Sequence, residues 1–241
     1  MEYKKYKTES EYSYCFGGFP TYELLKNKPE QVVEILVHEK LENNTQSNEI
    51  LNLAKKHNIH ITRNGKLIEK LSQKGNVFFV SIFKKYNQTI NKNTNQVLLV
   101  NPSDMGNLGT IIRVMLGFNY TNLGIIKPCI DIFDPKVIRA SMGSIFSMNI
   151  QLFDTIEEFE KSNKNHMYPF MLKGKTTLQQ LSQKQQPHTL VFGNEAHGLD
   201  DSFLSRGTPI LINHSNKIDS LNLSMSVGIA LYEFTKKNEL P

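Results

Sequence analysis

Between Val97 and Phe192, short apolar runs alternate with stretches of helical period, and this alternation constrains the fold more than any other property of the chain. The runs are Val97-Leu98-Leu99-Val100, Leu123-Gly124-Ile125-Ile126, Ile150-Gln151-Leu152-Phe153, Met167 to Leu172 and Thr189 to Phe192. Helices are expected directly after the first run, where Leu108, Ile111, Ile112, Met115 and Leu116 form one stripe, then over about Pro135 to Phe146, and again from about Thr155. Strands this apolar are buried on both faces, so the pattern predicts a mainly parallel sheet covered by helices on each side. Such sheets place ligands beyond the carboxyl ends of their strands. Here those ends run into Asn101 to Gly109 and into Gly193 to Gly198.

The amino-terminal part is organised differently. Residues 1–13 are polar, with tyrosines and lysines but no apolar period, and read as a flexible leader. Residues 14–86 suit a small α/β domain. It contains a short helix near Tyr22 to Lys26, a strand at Val32 to Val37, a helix from Ser47 as N-cap to His57, a strand at Ile59 to Thr62, a helix from Lys66 to Gln73 and a strand at Val77 to Val80. Residues 87–96 are polar, asparagine-rich and aperiodic, and form the expected linker. A second domain then covers 97–241. It closes with a helix over about Leu221 to Lys237 that is apolar on two sides, Leu223, Val227, Ala230, Leu231 and Phe234 on one and Met225 and Ile229 on the other.

Charge separates the two parts. Residues 1–96 hold 15 Lys/Arg against 10 Asp/Glu and residues 97–241 hold 13 of each, so the formal excess of +5 belongs to the first. An anionic partner is expected there, nucleic acid first. No stretch approaches the roughly 20 apolar residues of a membrane span, and Met1 to Lys7 lacks the apolar core of a signal peptide. A cytoplasmic protein without membrane contact is the expectation. Cys15 and Cys129 lie far apart in unrelated contexts, which suggests neither a disulfide nor a metal site.

A dinucleotide fold fails on spacing. Gly106-x-x-Gly109 is not G-x-G-x-x-G, and Leu123 to Ile126 is followed by Lys127-Pro128 rather than by a ribose-binding acid. There is no Walker A pattern, zinc spacing or G-x-S-x-G elbow.

Three segments stand out together: Asn107-Leu108-Gly109-Thr110-Ile111-Ile112-Arg113; Gly193-Asn194-Glu195-Ala196-His197-Gly198 after an apolar strand; and Pro209 to Asn213 followed by Ser220-Leu221-Asn222-Leu223-Ser224. With Arg139-Ala140-Ser141-Met142-Gly143 between the first two, they resemble the SpoU (TrmH-type) RNA 2'-O-ribose methyltransferases of the SPOUT superfamily. The resemblance covers residues 97–237. Residues 14–86 are more loosely similar to the ribosomal-protein-like RNA-binding domain of many members.

What the resemblance implies is specific. The fold would be a SPOUT-type α/β parallel sheet with a deep C-terminal trefoil knot, and the chain would be a homodimer through its catalytic domain. The cofactor would be S-adenosylmethionine, held at Gly193, Asn194, Ile212, Leu221 and Leu223. The catalytic group would be Arg113, Asn107, Glu195, Ser220 and Asn222, acting on a ribose 2'-hydroxyl of RNA, rRNA of the 23S type ahead of tRNA. A non-catalytic RNA-binding protein on the same fold is the competing class. Glu195, at a strand end, would hold Arg113 or bind the cofactor side; a carboxylate satisfying loop amides is the less favoured alternative. Ser220 reads as a helix cap or a catalytic group, whereas Asn222, inside the expected helix, is harder to explain as a cap. His197 reads as loop surface. Where the family has Ile-Pro-Met, this chain has Ile212-Asn213-His214, which implies a differently shaped cofactor loop.

Overall fold

The computed structural model of the protein describes residues 3–72, 75–181 and 183–236. The chain divides into two compact units, one of residues 1–86 with 131–147 and one of residues 87–130 with 148–241. The 131–147 segment, expected within the second domain, therefore belongs with the first.

The first unit contains β1 (Tyr12–Phe16), α1 (Gly18–Asn27), β2 (Val32–Val37), α2 (Thr45–Lys56), β3 (Ile61–Arg63), α3 (Gly65–Leu71) and β4 (Phe79–Lys84), with sheet order β1-β4-β2-β3. The period of two on β2 sorts its faces. Ile35 and Val37 pack with Leu25 of α1 and with Ile50 and Ala54 of α2. Leu36 faces the other way, toward Ile68 and Leu71 of α3. The N-cap of α2 is Asn44 rather than Ser47. Asn44 accepts from the Ser47 amide at 2.9 Å, and the Ser47 hydroxyl accepts in return from the Asn44 amide at 2.9 Å, a reciprocal cap. Gln73, where α3 was expected to end, lies outside the described residues.

The expected leader is instead part of this unit. β1 pairs antiparallel with β4, and Ser13 and Cys15 are fully buried. The strand is hard to see in sequence because its apolar surface is carried by tyrosine rings. Ahead of it, the Tyr3 hydroxyl donates to Glu34 at 2.6 Å, the Tyr6 hydroxyl donates to Asp131, and Lys85 Nζ donates to the Thr8 carbonyl at 2.7 Å. In the 131–147 segment the expected long helix stops at Ala140. Met142 and Gly143 turn into the left-handed region, with φ of 52° and 80°. A Cβ on Gly143 would lie 2.9 Å from the Cα of Pro20, so close approach as well as φ requires glycine there.

The second unit contains β5 (Gln96–Val100), α4 (Met105–Gly117) and β6 (Asn122–Ile126); α5 (Pro135–Ala140) lies in the first unit; then follow β7 (Asn149–Phe153), α6 (Ile156–Ser162), β8 (His166–Pro169), β9 (Thr176–Thr177), β10 (His188–Phe192), β11 (Ile210–Leu211) and α7 (Leu223–Thr235). The main sheet has the order β7-β6-β5-β10-β8 and all its pairings are parallel. The mainly parallel sheet read from the apolar runs is thus present. The chain starts at β5, steps outward through β6 and β7, then crosses to β8 and returns to β10 beside β5. The reversal lies between β5 and β10. Lys237, the expected end of the last helix, lies outside the described residues.

At the start of β10 His188 is fully buried. Its Nδ1 donates to the Gln185 carbonyl at 2.9 Å, which leaves Nε2 to accept from the Tyr120 hydroxyl at 2.6 Å. Burial lowers its pKa from 6.5 to about 4. Because the folded pKa lies below the unfolded one, the neutral ring contributes stability that is present above pH 6.5 and is lost as pH falls toward 4. At full extent this is roughly 3 kcal/mol. Urea unfolding of the wild type is expected to weaken over that window, and His188→Phe to flatten the dependence; equal slopes would remove His188 as its source.

Candidate functional site

The carboxyl ends of β5 and β10 flank the reversal of strand order, the place where open α/β sheets form ligand crevices. β5 runs into Asn101 to Asp104 and β10 into Gly193 to Gly198. Asp104 then caps α4 by accepting from the Asn107 amide at 2.7 Å, which sets Asn107 in the first helical turn.

The two loops are joined by side chains. Glu195 accepts from the Ser103 amide at 3.0 Å, the Ser103 hydroxyl at 2.8 Å, the Asp104 amide at 3.1 Å and Asn107 Nδ2 at 3.4 Å. Burial alone would raise its pKa, but the hydrogen bonds from its own loop, Ser103 and Asp104 outweigh burial and hold it below the ordinary carboxylate value. It is an ionised anchor. Asn194 does similar work: its Nδ2 donates to the Asn101 carbonyl at 2.8 Å and its Oδ1 accepts from the Ala196 amide at 2.9 Å.

The third segment closes the chain of contacts. Asn222 Nδ2 donates to Asn107 Oδ1 at 3.1 Å. Its own Oδ1 accepts from the amides of Ser224, at 2.9 Å, and Met225, at 3.4 Å. Asn222 is therefore the N-cap of α7, the role the sequence made harder to see, because the helix starts at Leu223 rather than Leu221. Ser220 lies two residues ahead of the cap and does not provide it.

A cavity of about 560 Å³ opens beside these loops, within the range of small-molecule sites. Gly193, Asn194, Ile212, Leu221 and Leu223 all line it, as do Glu195 and Ser220. Its apolar wall includes the stacked rings of Phe170 and Phe192, 4.5 Å between centroids. Asn107 and Asn222 are not among its lining residues, although Leu221 and Leu223 on either side of Asn222 are. Arg113 is not among its lining residues. It is exposed on α4, with no hydrogen-bonding or ion-pair partner among the described residues. Glu195 is thus committed to loop amides and does not hold Arg113. His197 is exposed at the loop tip. His214, in the departure from Pro-Met, pairs through Nδ1 with the Ile212 carbonyl at 2.9 Å, so a side chain closes that loop.

Ser103 and Asp104 are the residues that sequence reading missed. A Ser-Asp pair ahead of an apolar helical stripe is a start signal for the helix and could have flagged them. Among the described residues no group of acids, histidines and cysteines could hold a metal.

A cavity of mixed apolar and polar lining at the switch point of an all-parallel sheet marks an α/β domain with a small-molecule site. Residues 94–232 match the SpoU rRNA Methylase family, and the chain belongs to it. An uncharacterized tRNA/rRNA methyltransferase of Synechocystis is 31% identical over 54% of this chain and 48% of its own length. The 23S rRNA (adenosine(1067)-2'-O)-methyltransferase of Streptomyces laurentii is 31% identical over 59% of this chain and 54% of its own. The chain spans about half the length of these curated relatives. The crystal structure of an AdoMet-bound rRNA methyltransferase from Sinorhizobium meliloti superposes with a TM-score of 0.82 at 21% identity, covering 96% of this chain and 90% of that one. This likeness establishes a shared α/β fold.

Gly193 makes the site possible. A Cβ there would sit 2.0 Å from the Gly198 carbonyl carbon. Gly193→Ala is expected to cost about 1–3 kcal/mol through forced backbone displacement, measured by chemical unfolding. Unchanged stability would show that the loop is free to move.

Proposed function

We propose that this chain is an S-adenosylmethionine-dependent methyltransferase acting on a ribose 2'-hydroxyl in RNA, with 23S-type rRNA as the leading substrate. The observation that carries this reading is the hydrogen-bonded line from Asn222 through Asn107 to Glu195 and Ser103, which joins the three family segments beside one cavity. The cavity suits the cofactor. Its apolar wall fits an adenine ring, and the loops at Gly193 and Ile212 offer backbone groups to its edge.

When bound, the cofactor supplies a methyl group on a sulfonium, an electrophile that needs an oxygen nucleophile in line. Gly193, Asn194, Ile212, Leu221 and Leu223 hold it. Glu195, Asn107 and Asn222 keep the loops and the α7 N-terminus in register. Ser220, on the cavity wall and uncommitted to capping, faces the substrate. Arg113 grips the phosphate beside the target ribose and lowers the pKa of the 2'-hydroxyl; a guanidinium does not itself become the base. That it has no hydrogen-bonding or ion-pair partner among the described residues supports that role.

Ribosomal RNA is favoured by the name of the Streptomyces relative and by the full-length likeness to the Sinorhizobium rRNA methyltransferase. The Synechocystis relative, named for both tRNA and rRNA, keeps tRNA as the second reading. The first unit serves as the RNA-binding, ribosomal-protein-like domain, supported by its sixteen Lys/Arg against twelve Asp/Glu. A trefoil knot in the second unit is supported by the insertion of β10 between β5 and β8 and by the tight backbone passage at Gly174, whose Cβ would lie 2.6 Å from the Ile210 carbonyl carbon.

Homodimerisation is supported by α7, whose Met225, Ile229 and Tyr232 are 58%, 42% and 61% exposed at helical spacing. Ile229→Glu is expected to yield monomers by sedimentation; a wild-type monomer would remove the dimer from the reading. For the activity, calorimetry is expected to give one S-adenosylmethionine per chain, and no binding with or without RNA would favour the non-catalytic class. In single-turnover assays across pH, Arg113→Ala is expected to lose at least 100-fold, about 3 kcal/mol, and Arg113→Lys to retain part of the rate. Near-wild-type turnover in both would take Arg113 out of the mechanism.

A further inference from the structure

We infer that residues 3–8 form a fastened strap that presents Lys4, Lys5 and Lys7 to the RNA backbone, an inference that rests on the RNA-binding reading of the first unit. The strap lies on the α3 side of the sheet. Tyr3 and Tyr6 pack against the cluster of Tyr14, Leu36, Ile68, Leu71, Val80 and Ile82. Its fastenings are made by phenols and backbone carbonyls: Tyr3 donates to Glu34, Tyr6 donates to Asp131, Tyr14 donates to the Lys4 carbonyl and Lys85 donates to the Thr8 carbonyl.

None of these ties uses an ammonium of the strap. Lys4, Lys5 and Lys7 are exposed, and none has a hydrogen-bonded or ionic side-chain partner among the described residues. Glu34 and Asp131, the carboxylates hydrogen-bonded to the strap, are already occupied, and exposed Glu9 and Glu11 follow it in the chain. Glu34 also accepts from Thr62 at 2.5 Å, and Asp131 is paired with Lys85 at 2.6 Å. Three cations within four positions, without side-chain partners among the described residues, are therefore held on the α3 face of this sheet, with Lys66 and Lys70 exposed on α3. Exposed Glu69 lies between those two lysines on α3, as exposed Glu49 shares α2 with exposed Lys55 and Lys56.

An ordered cationic strap has a different use from a loose basic tail. Its lysines lose less freedom when phosphate binds, and each contributes counterion release. Polyanionic backbone, rather than a base sequence, is the chemistry it fits.

The test uses the full chain and in vitro transcribed 23S rRNA, with affinity measured against salt concentration. Replacing Lys4, Lys5 and Lys7 together by Gln is expected to weaken binding about 10-fold or more near 0.1 M salt and to reduce the log–log salt slope by about 2. Lys55→Gln/Lys56→Gln is expected to change the slope by less than half as much, and calorimetric S-adenosylmethionine binding should be unchanged in the triple variant. Wild-type binding with an unaltered slope in the triple variant would overturn the strap and leave the RNA reading standing. No wild-type binding would sink both. Loss of binding to phosphatidylserine vesicles with RNA affinity intact would overturn it in favour of a membrane surface.

Discussion

The carboxylate of Glu195 is the contact on which the rest of the site depends. It stands at the end of β10 and takes hydrogen bonds from Ser103, Asp104 and Asn107 at the end of β5. An ionised group buried only in part needs such donors to stay charged. In satisfying itself it fixes two loops that are ninety residues apart in sequence and adjacent in the sheet. Asn107 passes the constraint to Asn222, and the start of α7 follows. One charge thereby sets the positions of three polypeptide segments, and the cavity is the space they leave.

Glycine and asparagine complete what the carboxylate begins. Gly193 lets the β10 loop fold back on Gly198 at a distance that any side chain would block. Asn101 turns with φ of 54°, a conformation asparagine tolerates better than most residues. These positions carry little packing energy, yet they decide where backbone donors and acceptors point. The uncommitted groups are equally informative. Among the described residues Arg113 and the strap lysines have no side-chain partner, whereas Lys85, Lys127, Lys173 and Arg206 have one.

Much of this was legible in the chain. The apolar runs announced every strand of the main sheet, most clearly β5, β6 and β10, which are buried on both faces and so apolar almost throughout. The five residues expected at the cofactor all line the cavity, since short motifs anchored to strand ends keep their place. Legibility failed where order comes from polar contacts. β1 hid behind tyrosines and a serine. The α2 cap was expected at Ser47 rather than Asn44, and α7 two residues before its start at Leu223, because side-chain capping shifts a boundary without changing the periodic pattern. The return of 131–147 to the first unit leaves no composition signal, because it rests on tertiary contacts such as Gly143 against Pro20.

The central claim is that the site methylates ribose oxygen in RNA. Mapping 2'-O-methylation across total RNA from cells with the intact gene and with its deletion tests it most directly. The account predicts one ribose methylation in ribosomal RNA that disappears with the gene and returns with the wild-type chain. An unchanged ribose map, or a lost methyl group on a base, would contradict it.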